Sequence, residues 1–267
     1  MIGKKIRWYH IVNKSTGKTV IVAIDHGIFA GPMKGLEKPE RTLEEIVEGG
    51  ADAILVTPGI YQKYIDIIAQ GGLGVLLRID ESGTIYNPSR AEREQYITCS
   101  VSHAVKLGAD GVVVMGFIGS RNEPRSLSIV SKVAEEAREY GLVFLAEMYP
   151  IEPGATNPHD PNVVKVATRF AAEVGADFIK TFYTGDPQSF REVVESTPIP
   201  IVILGGPKRE SVEAVLRDVE GAIEAGAIGV AFGRNIWQYK QPAKMVKALA
   251  KIVHEGVSVE EALKILG

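Results

Sequence analysis

Cysteine is nearly absent: one residue, Cys99, among 267 leaves no internal disulfide framework and fits a reducing compartment. Histidine is sparse too. His10, His26, His103, His159 and His254 are scattered without HExxH or CxxC spacing, so no dedicated metal site is signalled. Positive charge is not in excess: a net charge of −3 gives no basic footprint for nucleic acid, and no polybasic run argues for a membrane surface. No apolar run reaches the ~18 residues of a spanning helix. The start, MIGKKIRWYHIVNKS, lacks an apolar signal-peptide core, so a cytoplasmic protein is expected. The glycine fingerprint GxGxxG is missing after the first apolar run, which argues against an open dinucleotide-binding sheet.

What is present is hydrophobic material in short, regular instalments. With 45% hydrophobic and 24% charged residues the chain can bury a full core. The run Thr19–Ile24 is continuous and β-branched, the pattern of a strand covered on both faces, and it ends at Asp25-His26-Gly27. Similar runs recur at Asp52–Thr57, Gly74–Ile79, Gly111–Met115, Leu142–Glu147, Ala176–Thr181, Ile199–Leu204 and Gly229–Phe232. Helical segments separate them: Thr42–Glu48, Tyr61–Ala69, Ala91–Leu107, one opened by Pro124, and two introduced by Asp160-Pro161 and Asp186-Pro187, each an N-cap with proline in the first turn. A seventh runs to Gly226, and two more close the chain, one from about Pro242 to Val253 and one opened by the capping box Ser258…Glu261. The N-terminal lead before Thr19, with Trp8, reads as polar and unassigned.

Gly50-Ala51-Asp52, Gly108-Ala109-Asp110, Gly175-Ala176-Asp177 and the looser Gly226-Ala227-Ile228 stand just before strands two, four, six and eight. Each is a glycine helix end leading into a strand, and their regular alternation marks a repeated βα unit. Helix-to-strand joints are short, whereas the loops after strands one, three, four and five are long and carry Gly, Pro and charge. Long loops gathered on one face place function at the strand C-termini of a (β/α)₈ barrel of the α/β class, expected as one domain over 1–267 with an extra C-terminal helix.

On that face the residue types become informative. Lys180 sits in the second half of an apolar strand, where burying an ammonium costs several kcal/mol unless it is paired or neutralised, and a desolvated lysine is how an enzyme makes a nucleophilic amine. Asp25 and Tyr149 fall at the ends of strands one and five, so carboxylate, phenol and amine converge on one mouth and are suited to forming and dehydrating a carbinolamine. The structural alternatives are a lysine snorkelling to the rim, an aspartate that only accepts turn N–H groups, and a packed loop aromatic. Gly205-Gly206 and Gly233-Arg234, after the last two strands, stand where barrels often bind phosphate. Lys208 reads as a solvated loop lysine and His26 as a turn or core histidine. Trp237, Ile236 and Val246 read as packing for the eighth helix. Arg78, Asp80 and Glu147 are charges in or beside apolar runs that either pair with one another or line a substrate pocket.

The set Asp25-His26-Gly27…Gly31-Pro32, Tyr149-Pro150, Lys180…Tyr183-Thr184-Gly185-Asp186, Gly205-Gly206-Pro207-Lys208 and Gly233-Arg234-Asn235 resembles the DhnA-like, archaeal-type class I fructose-bisphosphate aldolase family. That family also holds the 2-amino-3,7-dideoxy-heptulosonate synthases and the autoinducer-2 phosphate thiolases. The resemblance implies Schiff-base chemistry at Lys180, Tyr149 as proton donor and acceptor, and Asp25 assisting. It further implies a sugar phosphate held by the Gly205, Gly206, Gly233 and Arg234 loops, no cofactor or metal, and a homo-oligomer built on a pentamer, often a decamer. Where fructose-bisphosphate aldolases prefer Trp-x-Tyr-Pro-Arg-Gly, this chain has Glu147-Met148-Tyr149-Pro150-Ile151-Glu152, one arginine fewer and two carboxylates more. The loop Phe29–Glu37 looks closer to the synthase and thiolase branches, while the thiolase branch lacks the Tyr-Pro kept here. A barrel that binds sugar phosphates without turnover is the non-enzymatic alternative.

Overall fold

The computed structural model describes residues 1–87 and 94–267. Eight parallel strands close into a barrel: β1 (Thr19–Ala23), β2 (Ala53–Val56), β3 (Gly74–Arg78), β4 (Gly111–Ile118), β5 (Val143–Pro150), β6 (Phe178–Thr181), β7 (Ile201–Leu204) and β8 (Gly229–Phe232). Neighbours in sequence are neighbours in the barrel, and β8 returns to β1 through the register Thr19–Gly229 to Val22–Phe232. Closure removes the open-sheet alternative, because no barrel strand is left with an unpaired edge.

The period of two along each strand sorts its residues. Ile21, Leu55, Leu76, Val113, Leu145, Phe178 and Val202 form the inner core, whereas Val20, Val22, Ile54, Leu77, Val112, Phe144 and Ile203 pack outward against the helices. Full burial of each such side chain stabilises the fold by roughly 1.5–3 kcal/mol. The outward layer is why the strands read as continuous apolar runs rather than alternating ones.

The repeated Gly-Ala-Asp joints have a double role. Gly50, Gly108 and Gly175 all take positive φ, 79°, 79° and 93°, which lets the chain reverse into the next strand. The aspartate that follows then accepts the backbone N–H of the neighbouring strand: Asp52 from Val20 at 2.6 Å, Asp110 from Val75 at 2.9 Å and Asp177 from Phe144 at 2.8 Å. A basic side chain meets each one, His254, His10 and Lys4 respectively, at 2.9, 2.7 and 2.7 Å.

Four expectations change. The N-terminal lead is a helix, Ile2–Ile11, that plugs the barrel floor with Ile11 and Val12 and sets Trp8 edge-on to Phe178 at 5.3 Å. Gly74 permits this approach, since a Cβ there would stand 2.3 Å from the His10 carbonyl. The expected helix Ala91–Leu107 starts outside the described residues, as does Pro88 of the preceding loop. Its described part holds a two-residue strand, Tyr96–Ile97, antiparallel to Asp80–Glu81, and a short helix Val101–Lys106 capped by Ser100. The segment Tyr61–Ala69 is two short helices, Pro58–Lys63 and Ile65–Gln70, broken at Tyr64. Finally, β4 and β5 run longer than their apolar cores, so Tyr149 and Pro150 lie on a strand and not in a loop.

Candidate active site

Alternation along β5 and β6 builds the centre of the site. Leu145, Glu147 and Tyr149 share the inward face of β5, and Phe178 and Lys180 share that of β6. Glu147 and Lys180 are direct register partners, so their side chains leave the ladder side by side. Lys180 Nζ lies 2.7 Å from Glu147 Oε1, and both residues are buried, 5% and 6% exposed.

The second carboxylate oxygen of Glu147 pairs with Arg78 Nη2 on β3. Arg78 Nε meets Asp25 Oδ2 at 2.9 Å, and its Nη1 meets Asp80 Oδ1 at 3.2 Å. One guanidinium therefore ties together three carboxylates from three parts of the chain. Behind it, Asp80 Oδ2 accepts from the Met115 N–H at 2.9 Å and from Gln95 Nε2 at 2.7 Å. Ser126 Oγ donates to Gln95 Oε1 at 2.6 Å and fixes that amide. The alternatives for Arg78, Asp80 and Glu147 were pairing or lining a pocket. Arg78 and Glu147 do both, and Asp80 is wholly buried behind them.

Charge governs protonation here. Burial alone would raise the Asp25 carboxyl, but Arg78, the His26 ring and Lys180 together hold it well below the usual carboxylate range. Burial acts on Glu147 in the same direction and is outweighed by Lys180 and Arg78, which keep it ionised. Asp80 and Glu81 differ: burial prevails and pushes both upward. Burial disfavours the Arg78 cation, yet Glu147, Asp25 and Asp80 fix its charge.

A cavity of about 150 Å³ opens above this network. Tyr149 forms one wall, its ring edge-on to Phe182 at 4.8 Å and to Phe117 at 6.4 Å. Gly205, Gly206, Gly233 and Arg234 also line the cavity, as do His26, Phe29, Ser82, Gly83 and Thr84. At Gly233 a Cβ would stand 2.6 Å from His26 Cε1 and 2.8 Å from the Ala23 carbonyl, so glycine there lets the end of β8 pack against His26 and the end of β1. His26 lies 3.3 Å from Asp25 Oδ1 and edge-on to Trp237. Trp237 Nε1 donates to the Ala23 carbonyl at 3.0 Å, so it ties the β8 end to β1 rather than merely packing a helix.

Every predicted site residue faces this one cavity: Lys180, Tyr149, Asp25, Glu147, Arg78, Gly205, Gly206, Gly233 and Arg234. Lys208 does not line it and donates to the Gln238 carbonyl at 2.7 Å. Asn235 went unassigned in the sequence. Its Nδ2 donates to the Gly205 carbonyl at 2.6 Å and its Oδ1 accepts from the Arg209 N–H at 2.9 Å, which pins the Gly205–Arg209 loop to the end of β8. Gln95 and Ser126 also escaped notice, because a lone amide and a helical serine carry no pattern until the barrel brings them to Asp80.

Comparison with known proteins agrees with this geometry. A family model described as DeoC/LacD family aldolase matches residues 19–239. An uncharacterised aldolase of Saccharolobus solfataricus is 37% identical over 273 residues, covering 100% of both chains. The class 1 fructose-bisphosphate aldolase of Thermoproteus tenax is 34% identical, over 93% of this chain and 94% of that one. A 2-amino-3,7-dideoxy-D-threo-hept-6-ulosonate synthase of Halobacterium salinarum is 35% identical, over 92% and 90%. The crystal structure of an archaeal fructose 1,6-bisphosphate aldolase superposes with a TM-score of 0.86 at 34% identity, over 95% of this chain and 100% of that one. A second, with the catalytic lysine covalently bound to the carbinolamine intermediate, gives 0.84 at 33%, over 94% and 99%.

Proposed function

The chain belongs to the DeoC/LacD family of aldolases, and from that premise we propose that it is a class I, Schiff-base aldolase of the fructose-1,6-bisphosphate type with Lys180 as its nucleophile. The observation that carries this reading is the Lys180 amine, buried on the inner face of β6 and opening into a cavity ringed by carboxylates, a phenol and glycine loops. The neutral amine adds to the ketone carbonyl of a ketose phosphate to give a carbinolamine, which loses water to an iminium. The carbon–carbon bond then breaks, and its electron pair enters the iminium to give an enamine. Tyr149 passes the proton from the departing carbon's hydroxyl to the enamine carbon, and Asp25 assists the carbinolamine steps. Hydrolysis returns the water and frees Lys180, so the lysine itself does the work of a cofactor.

The substrate phosphate sits against the backbone of Gly205, Gly206 and Gly233, with Arg234 supplying charge. We place this chemistry in the cytoplasm, in a homo-oligomer built on a pentamer and extending to a decamer. The similarity to the Halobacterium synthase supports a second outcome on the same intermediate, in which another aldehyde captures the enamine and the enzyme is a transaldolase. A turnover panel tests the choice. Cleavage of fructose 1,6-bisphosphate supports the aldolase. Turnover confined to a deoxyketohexose phosphate with aspartate semialdehyde supports the transaldolase, and turnover confined to an acyl donor with coenzyme A supports a thiolase. No turnover in any arm leaves a sugar-phosphate-binding barrel.

A further inference from the structure

The resemblance assigns the carbinolamine steps to Asp25, but the carboxylate in contact with the reacting nitrogen is Glu147. Its Oε1 is 2.7 Å from Lys180 Nζ, whereas Asp25 is engaged by Arg78 at 2.9 Å and lies 3.3 Å from the His26 ring. Charge accounting makes the same distinction. Asp25 and Asp80 already exceed what one guanidinium needs, so the third carboxylate is surplus for Arg78 and balances Lys180. The contact is also rigid. Glu147 and Lys180 are register partners, and the far oxygen is held by an Arg78 locked through Asp80, Gln95 and Ser126.

We propose that Glu147 is a catalytic residue of this chain, the proton carrier and counter-ion of the Lys180 Schiff base. The proposal rests on the Schiff-base reading given above. The reaction sequence starts from the Lys180–Glu147 ion pair. As the ketone arrives, one proton crosses to Glu147 and leaves a neutral amine. The amine adds to the carbonyl, and the carbinolamine nitrogen loses its extra proton to the new alkoxide. Glu147 then returns its proton to the carbinolamine hydroxyl, which departs as water while the nitrogen lone pair forms the iminium. The ledger closes: ammonium and ketone become iminium and water, and the carboxylate is regenerated beside the new cation. At the start and at the end of the reaction sequence a cation on the β6 nitrogen faces an anion on β5.

Dihydroxyacetone phosphate is the probe, with two readouts: the rate of borohydride-trapped adduct on Lys180 and the rate of ¹⁸O loss from the labelled ketone. Glu147→Gln keeps an oxygen for Arg78 and is expected to bind the probe within threefold of wild type. Its adduct formation and ¹⁸O exchange should fall at least about 100-fold at neutral pH, the lower range for a positioned acid–base group, and recover as pH rises and hydroxide replaces the carboxylate. Glu147→Asp keeps the charge one methylene farther away and should fall between the two. A Gln variant within threefold of the wild-type rate at neutral pH overturns the proposal, as does a parallel loss of probe binding and adduct with no change in pH slope. Should the Gln variant not fold, the Asp variant decides, and a wild-type rate there overturns the proposal equally. A wild-type protein that traps no adduct with any ketose phosphate marks the failure of the Lys180 reading itself.

Discussion

Arg78 and Glu147 lie 69 residues apart and meet as a buried ion pair at the mouth of the barrel. Because Arg78 also holds Asp25 and Asp80, one guanidinium offsets the burial of three carboxylates.

Arg78→Met therefore leaves those carboxylates facing one another, with Lys180 beside Glu147 as a remaining cation among the described residues. A loss of about 3–5 kcal/mol in urea-unfolding free energy is expected, as for other broken buried pairs. Activity should fall as well, since Glu147 loses the partner that aims it.

Asp25 gives a signed pH prediction. Its carboxyl is held down in the folded state, so the stability it contributes is present above the unfolded value near 3.8 and is lost as pH falls below it. Glu147, also lowered, acts in the same sense, while Asp80 and Glu81, both raised, act against it. Asp25→Asn removes one of the favourable contributions. The variant's Tm, followed from pH 7 towards pH 2.5 by circular dichroism, should show a flatter acid limb than wild type; parallel limbs count against the ion-pair assignment.

Much of this was legible beforehand, and the reason is periodicity. Strands covered on both faces leave unbroken β-branched runs, and the Gly-Ala-Asp joints repeat because each solves the same turn. Lys180 stood out because it is the one charge in the second half of its apolar run, past Phe178 and Ile179. The N-terminal helix was not legible, since its apolar residues split between a floor-facing pair, Trp8 and Ile11, and an exposed set, Ile2, Ile6 and Tyr9. The Tyr96–Ile97 pairing is too short to show any period. Whether Arg78 pairs or lines depends on partners from strands one and five, which only closure of the barrel brings together.

The floor of the barrel offers a test separate from the chemistry. Asp52→Ala, Asp110→Ala and Asp177→Ala each strand one backbone N–H, and each should cost about 1–3 kcal/mol of stability while kcat stays unchanged. The three share no partners, so the costs should sum in the triple variant. The fourth joint makes the contrast: Ile228 donates its own N–H to the Ile201 carbonyl at 2.8 Å, as Asp52, Asp110 and Asp177 donate theirs to Val20, Val75 and Phe144, but it offers no carboxylate in return.

At the other end, Gly233→Ala drives a Cβ against His26 and the Ala23 carbonyl, where the backbone has little room to yield. Overpacking of this kind costs about 1–3 kcal/mol. Because Gly233 abuts the cavity, KM for a phosphorylated substrate should rise more than the KM of the same variant for an unphosphorylated analogue.

Lys180 is the residue expected to form the covalent bond to the ketose phosphate. Incubation with fructose 1,6-bisphosphate or dihydroxyacetone phosphate, reduction with borohydride in the presence of EDTA, and peptide mass mapping test it directly. One reduced ketose-phosphate adduct per chain, located on Lys180 and absent from Lys180→Met, is the predicted result; an unmodified Lys180, or an adduct that persists on another lysine in that variant, would contradict it.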